Sequence, residues 1–205
     1  MREEIGMKRS KIFIAVTGGI GSGKSAAVAA IAAAGYPTFS ADAFARTIYE
    51  DREVLRAVKA RFPDCVAGDK VDRKKLAEIV FHDGQALAAL NAFTHPAIMR
   101  RMFSAMERAD GRLIFAEVPL LFEGGYERDF DEVIVILRER ESRIAAVVKR
   151  DGIGAEEAEA RLKNQFDYEK NLPSGHTVIY NDGDLCSLNR QVADAVAAFK
   201  QKYCN

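Results

Sequence analysis

The sequence has few cysteines, no excess of one charge and no long apolar segment. Its three cysteines lack C-x-x-C spacing and an even count, which argues against a disulfide framework or zinc site and for a reducing compartment. The 30 basic and 30 acidic residues cancel, so no global field attracts nucleic acid or an anionic membrane. No apolar run approaches the length of a membrane span. We therefore expect a cytoplasmic protein with no nucleic-acid or membrane partner, in which anion recognition is local.

The amino-terminal segment, residues 1–10, is charged and lacks the apolar stretch of a secretory signal. We expect a short extension there, for which Met1 and Met7 are both suitable starts. The sequence also lacks internal repeats and low-complexity linkers. Its 205 residues favour one domain with inserted subdomains over two independent domains.

Short β-rich runs alternate with longer helical patterns, which is typical of a parallel α/β sheet flanked by helices. We predict five strands, at residues 11–16, 37–40, 112–118, 132–137 and 177–180. The interval 41–110 shows only helical periodicity and is too long for a single crossover, so it predicts a helical subdomain. The interval 139–172 is helical and rich in basic residues. It predicts a lid that closes over phosphates, although a solvated helical face would have the same composition. The predicted core is therefore formed by residues 11–40, 111–138 and 173–205.

The strongest local pattern is a glycine-rich loop that directly follows the first predicted strand. It fulfils the phosphate-loop pattern G-x-x-x-x-G-K-[ST], in which backbone N–H groups and a helix N-terminus face a triphosphate. Lys24 would reach the β and γ phosphates of ATP, and the Ser25 hydroxyl would bind Mg²⁺. An ordinary glycine turn would explain the glycines but not Lys24 and Ser25. The predicted nucleotide-binding residues are Gly19, Ile20, Gly21, Ser22, Gly23, Lys24, Ser25 and Ala26.

Three further side chains are candidates for a role in phosphoryl transfer. Asp42 follows the second predicted strand and is a candidate general base, or equally the N-cap of a helix over residues 43–49. Glu117 ends the third predicted strand and is a candidate Mg²⁺ carboxylate of the Walker-B type, or simply a strand terminus. His95 lies in the helical interval, where a lone histidine is more often structural.

The order and spacing of these motifs resemble those of the dephospho-coenzyme A (dephospho-CoA) kinase family, over nearly the whole chain from Lys11. The matching positions are residues 17–25 (T-G-G-I-G-S-G-K-S), 40–46 (S-A-D-A-F-A-R), Arg73 with Leu76, Leu90-Asn91 with His95-Pro96, residues 119–123 (P-L-L-F-E), and Arg150-Asp151-Gly152 with Arg161 and Gln165.

The resemblance implies a P-loop kinase that transfers the γ-phosphate of ATP to the ribose 3′-hydroxyl of dephospho-CoA, the last step of coenzyme A synthesis. It implies catalytic roles for Asp42, Lys24 and Arg150, and an Mg²⁺ site at Ser25 and Glu117. We expect a monomer. The substrate-binding residues that it implies are Asp42, Arg46, Arg73, His95, Pro119, Leu120, Leu121, Glu123 and Arg161.

Several positions depart from the family pattern. The lid helix has Ala146 where an arginine is usual, and Arg143, one turn earlier, is a candidate substitute at the phosphates. The other departures are Ser40, Ala26, Tyr180 and the segment after Lys170. They weaken the set of cations for the transition state, where one arginine can be worth about 10³-fold in rate. Two alternatives stay open: a kinase of another hydroxylated metabolite or nucleoside, and a nucleotide-binding regulator with weakened catalysis.

Overall fold

A computed structural model describes residues 10–163, 165–171 and 174–204 of the chain. The expectation for residues 1–9, including the choice between Met1 and Met7, lies outside these residues. The strands are β1 (Ile12–Thr17), β2 (Thr38–Ser40), β3 (Val66–Ala67), β4 (Lys70–Val71), β5 (Leu113–Glu117), β6 (Glu132–Leu137) and β7 (Thr177–Tyr180). The α-helices are α1 (Lys24–Ala33), α2 (Ala41–Arg46), α3 (Arg52–Arg61), α4 (Arg73–His82), α5 (Gly84–Arg108), α6 (Arg140–Asp151), α7 (Ala155–Lys163), α8 (Tyr168–Asn171) and α9 (Leu185–Cys204).

Contacts divide the chain into two compact units. The helical unit is Ser40–Glu107, and the sheet unit consists of the residues up to Phe39 and those from Arg108 onward. The substrate and lid roles that the sequence suggests for residues 41–110 and 139–172 stay predictions.

The sheet unit contains a five-stranded sheet in the order β2-β5-β1-β6-β7. Strand β1 pairs in parallel with β5 and β6, and β6 pairs in parallel with β7. All six residues of β1 are buried, as expected for a central parallel strand with both faces covered. The five predicted strands are confirmed, and their ends differ from the observed ends by at most one residue.

Helices α1 and α9 pack on the sheet. The buried residues of α9 include Leu188, Val192, Val196 and Phe199, which repeat every three or four positions and form one apolar stripe. This stripe joins Ile31 of α1 and the side chains of β1, β5, β6 and β7 in one hydrophobic core. The core holds the carboxyl ends of β1 and β5 rigidly, and the candidate site begins at those ends.

The helical unit contains a structure that the sequence analysis missed. Strands β3 and β4 form an antiparallel hairpin, so the expectation of purely helical structure over residues 41–110 is wrong there. The reason is local: Gly68 adopts a φ of 61° and, with Asp69, makes a two-residue turn. Strands of two residues are too short to show an alternating pattern.

The rest of the helical unit is organised by capped helices around its own core. Asp51 accepts hydrogen bonds from two N–H groups at the start of α3, and Asp72 does the same for α4. The core includes Val58, Leu76 and Leu90. Within the described part of the chain, every helix is too short or too polar to cross a lipid bilayer.

Candidate active site

The phosphate loop connects β1 to α1 in the sheet unit. Gly21 and Gly23 have φ values of 76° and 99°, a region that disfavours residues with a Cβ. A Cβ on Gly23 would also collide with the Asn181 amide. Gly23 is the N-cap of α1 and provides no side-chain cap, which leaves the first N–H groups of the helix for an anion. The loop therefore has the backbone of a phosphate site.

Lys24 begins α1 and folds back over the loop. Its Nζ donates hydrogen bonds to the carbonyl oxygens of Gly18 at 2.7 Å and Gly19 at 2.9 Å. The loop therefore holds the ammonium group beside the predicted phosphate site.

Ser25 and Glu117 lie close together at the carboxyl end of the strands. The Ser25 Oγ donates to Glu117 Oε1 at 2.9 Å, because β5 runs beside β1 and ends with Glu117 opposite Val16. A hydroxyl and a carboxylate are oxygen donors of the kind that Mg²⁺ prefers. The two residues therefore fit the metal that the sequence analysis assigned to them.

The predicted lid, residues 139–172, is called the lid segment below, and two of its described parts, α6 and the residues after α7, contact the loop. Arg143 Nε donates to the Ile20 carbonyl at 3.0 Å, and Gln165 Oε1 accepts from the Ile20 N–H at 2.6 Å. The Tyr168 hydroxyl lies 3.2 Å from Thr17 Oγ1, and burial raises the pKa of Tyr168 to about 12. Arg143 was predicted to reach this region. The sequence analysis missed the contacts of Gln165 and Tyr168: Gln165 belongs to a family motif, whereas nothing in the sequence marks Tyr168.

The loop is also contacted from the segment that follows β7. The buried Asn181 amide donates to the Ser22 carbonyl at 2.8 Å. Next to it, a cavity of about 190 Å³ has walls that include Gly19, Arg138, Tyr180 and Asp182. Its position beside the phosphate loop suits a nucleotide base. Of the residues outside the loop, only Tyr180 stands out in the sequence, as a departure from the family pattern, and the contact of Asn181 was not predicted.

Arg150 and Arg161 meet at a single carboxylate away from the loop contacts just described. Arg150 makes two hydrogen bonds to Asp151, at 2.7 and 3.0 Å, and Arg161 makes one at 2.9 Å. These hydrogen bonds from Arg150 lower the pKa of Asp151 and raise the pKa of Arg150. Both guanidinium groups are substantially exposed, so the pairs are weak and exchangeable.

The segment 119–123 follows β5 and turns the chain. Leu121 is fully buried, whereas Leu120 is exposed. Glu123 accepts a hydrogen bond from the Phe166 N–H at 2.9 Å, and the Phe122 ring stacks on that of Phe166. The segment is therefore joined to the lid segment near Gln165.

The helical unit carries the remaining candidates. Asp42 is the second residue of α2, and the N-cap is Ser40, so the N-cap interpretation of Asp42 is wrong. Arg73 donates to the Arg46 carbonyl at 2.6 Å, which brings those two candidates together. His95 is half-buried in α5, and burial lowers its pKa.

Comparison with known proteins gives the family. The profile of the dephospho-CoA kinase family matches residues 12–187. The chain belongs to the dephospho-CoA kinase family. A dephospho-CoA kinase from Chlorobaculum tepidum is 39% identical over 194 residues, which are 90% of this chain and 93% of the relative.

Solved structures agree with the membership in the dephospho-CoA kinase family. TT1252 from Thermus thermophilus has a TM-score of 0.80 and 35% identity, and a dephospho-CoA kinase from Campylobacter jejuni has a TM-score of 0.68 and 28% identity. Each match covers 93% of this chain and 98% of the other chain. The predicted fold class, a parallel P-loop α/β sheet flanked by helices, is thus confirmed.

Proposed function

We propose that this chain transfers the γ-phosphate of ATP to the ribose 3′-hydroxyl of dephospho-CoA, giving coenzyme A and ADP. The observation that carries the proposal is the phosphate loop with its Ser25–Glu117 hydrogen bond, in a chain of the dephospho-CoA kinase family. The loop binds a triphosphate, and the family supplies the acceptor. Neither a different acceptor nor a purely regulatory role is favoured by any contact described above.

The nucleotide side of the reaction belongs to the sheet unit. The loop of residues 19–26 surrounds the phosphates, while the N–H groups of Ile20 and Ser22 shape the loop through Gln165 and the Gly19 carbonyl. The base occupies the cavity beside Arg138 and Tyr180. Lys24 keeps its hydrogen bond to the Gly19 carbonyl and exchanges the one to the Gly18 carbonyl for the β and γ phosphates. Arg143, already at the loop, supplies positive charge that the usual lid arginine would give at position 146.

Ser25 and Glu117 would hold Mg²⁺ through the hydroxyl and the carboxylate, which are oxygen ligands that the ion prefers. When bound, the ion neutralises charge on the phosphate oxygens as the γ-phosphoryl group is transferred. The Ser25 hydroxyl, which donates to Glu117 in the structure, would offer its lone pair to the ion.

The acceptor side is assigned to the helical unit and to the segment after β5. Asp42 takes the proton of the 3′-hydroxyl as that oxygen bonds to the γ-phosphorus and the bond to ADP breaks. The joined residues Arg46 and Arg73 bind the negative charges of dephospho-CoA, and His95 contributes a neutral imidazole. Contacts with the rest of the substrate come from Pro119, Leu120 and Glu123, whereas the side chain of Leu121, predicted to join them, is fully buried.

Arg150 leaves Asp151 to bind the transferring phosphate and acts directly in catalysis, while Arg161 keeps its hydrogen bond to Asp151 and adds positive charge toward the substrate. We expect the enzyme to act as a monomer in the cytoplasm.

The test is an assay of ADP release from Mg²⁺-ATP with dephospho-CoA, beside a panel of nucleosides and other small hydroxyl acceptors. Selective formation of 3′-phosphorylated coenzyme A, identified by mass, would support the proposal. Removal of Mg²⁺ with EDTA should abolish turnover. Turnover with another acceptor alone would contradict the substrate assignment, and binding of both ligands without ADP release would favour the regulator.

A further inference from the structure

Ile20 of the phosphate loop is held on three sides by the lid segment. Its N–H donates to Gln165 and its carbonyl accepts from Arg143. Its side chain packs against the small apolar cluster that joins α6 to α7, built on Val147, Ala158 and Leu162. An apolar residue in a glycine-rich loop therefore serves as an attachment point for the lid.

The hydrogen bond to Gln165 also bears on Lys24. The N–H of Ile20 and the carbonyl of Gly19 belong to one planar peptide and point in opposite directions when the peptide is trans. Gln165 holds the N–H end at 2.6 Å, and the carbonyl end accepts from Lys24 Nζ at 2.9 Å and from the Ser22 N–H at 3.2 Å. Gln165 thus fixes the orientation of this peptide at the N–H end, and Lys24 is hydrogen-bonded to the carbonyl at the other end.

The chemical type of residue 165 suits this task. The amide oxygen accepts an N–H hydrogen bond without adding charge. A carboxylate at the same place would repel a triphosphate. An apolar side chain would leave the Ile20 N–H without its acceptor.

We propose that Gln165 is a positioning residue which, through the Gly19–Ile20 peptide, sets the place of the Lys24 ammonium and couples the lid segment to nucleotide affinity. The inference rests on the proposed function, because it takes the loop to be the nucleotide site. It concerns the affinity for ATP and makes no claim about the acceptor. The loss of one such hydrogen bond is expected to weaken ATP binding about fivefold.

The experiment compares wild type with Gln165→Met, which keeps the side-chain length and removes the acceptor. The dissociation constant for Mg²⁺-ATP is measured by calorimetry without dephospho-CoA. The amide signal of Ile20 and its hydrogen exchange are followed by NMR in the nucleotide-free protein. Gln201→Met, on the exposed surface of α9, is the matched control.

We expect Gln165→Met to bind ATP about fivefold more weakly, to raise the KM for ATP but not that for dephospho-CoA, and to exchange the Ile20 amide faster. In the nucleotide-free protein Gln165→Glu retains the acceptor and should keep the slow exchange. A merely structural role would lower the thermal midpoint and leave both KM values unchanged.

An unchanged ATP affinity and an unchanged Ile20 amide in Gln165→Met would overturn the inference, even if the wild type makes coenzyme A. Failure of the proposed function would give a different result. A wild type that binds ATP but makes no coenzyme A would overturn the proposed function, while the Gln165 result would still stand for the nucleotide loop.

Discussion

Asp42 stands in the first turn of α2 without serving as the helix cap. Its carboxylate is therefore not required to start the helix and is available as a base. We predict that Asp42→Asn lowers kcat by about 10²- to 10⁴-fold, because an amide cannot accept the proton of the 3′-hydroxyl. The KM for dephospho-CoA should change little, since the loss is confined to the transition state.

Steady-state kinetics with both substrates varied would measure this effect. Asp69→Asn, in the turn between β3 and β4, is the matched control and should behave like wild type. Equal rates for Asp42→Asn and wild type would remove the general-base assignment.

His95 makes stability depend on pH in a defined direction. Burial lowers its pKa below the unfolded value of about 6.5, so the unfolded chain binds more protons below neutrality. The contribution of a neutral His95 is thus present above about pH 6.5 and is lost as the pH falls through that value toward the folded-state pKa.

Urea unfolding of wild type and His95→Gln at pH 7.5 and pH 5 would measure this effect. The wild type should lose more free energy of unfolding between the two pH values than the variant. An equal loss in both proteins would mean that other groups account for the pH dependence.

At the scale of elements, the cap of α4 offers a clean test of local stability. The Asp72 carboxylate accepts from the N–H groups of Lys74 and Lys75, both at 3.1 Å. We predict that Asp72→Ala lowers the free energy of unfolding by about 1 kcal/mol. Because the cap directly precedes Arg73, the variant should also raise the KM for dephospho-CoA.

Chemical denaturation would quantify the loss, with the exposed Glu78→Ala in the middle of α4 as control. A variant of Asp72 as stable as this control would show that the two hydrogen bonds contribute nothing in solution.

The elements also show how far the sequence could predict the structure. Strand β6 has the predicted bounds, because a buried parallel strand is a continuous apolar run bounded by polar turns. Strand β7 lies at the end of the sheet and is buried only at Ile179, and its bounds were predicted from a short β-branched run between polar turns. The hairpin of β3 and β4 was missed because its strands are too short for a pattern. The phosphate loop was predicted because its chemistry is contained in eight consecutive residues. The Gln165–Ile20 contact joins positions 145 residues apart, and local periodicity carries no information about it.

At the scale of the whole molecule, the three thiols differ in their exposure to solvent. Cys186 and Cys204 are exposed, whereas Cys65 is 1% exposed in the core of the helical unit. Burial raises the pKa of Cys65, which lowers the thiolate fraction that reacts. We predict two rapidly labelled thiols in the native protein, with the third labelled only as the helical unit opens.

Labelling with a chromogenic disulfide, with and without denaturant, would count the thiols. Cys65→Ala should remove only the slow phase, and Cys186→Ala only part of the fast phase. Three thiols of equal reactivity in the native protein would contradict the burial of Cys65.

Two arginines of the lid segment pair with the single carboxylate of Asp151, so one of these cations is not needed to neutralise it. If a single arginine faced this aspartate, moving it to a phosphate would leave the negative charge of Asp151 uncompensated. With Arg150 and Arg161 both present, one guanidinium can depart while the other still neutralises the carboxylate. One arginine can therefore move to the phosphate of the substrate without leaving an unpaired carboxylate that would repel that phosphate.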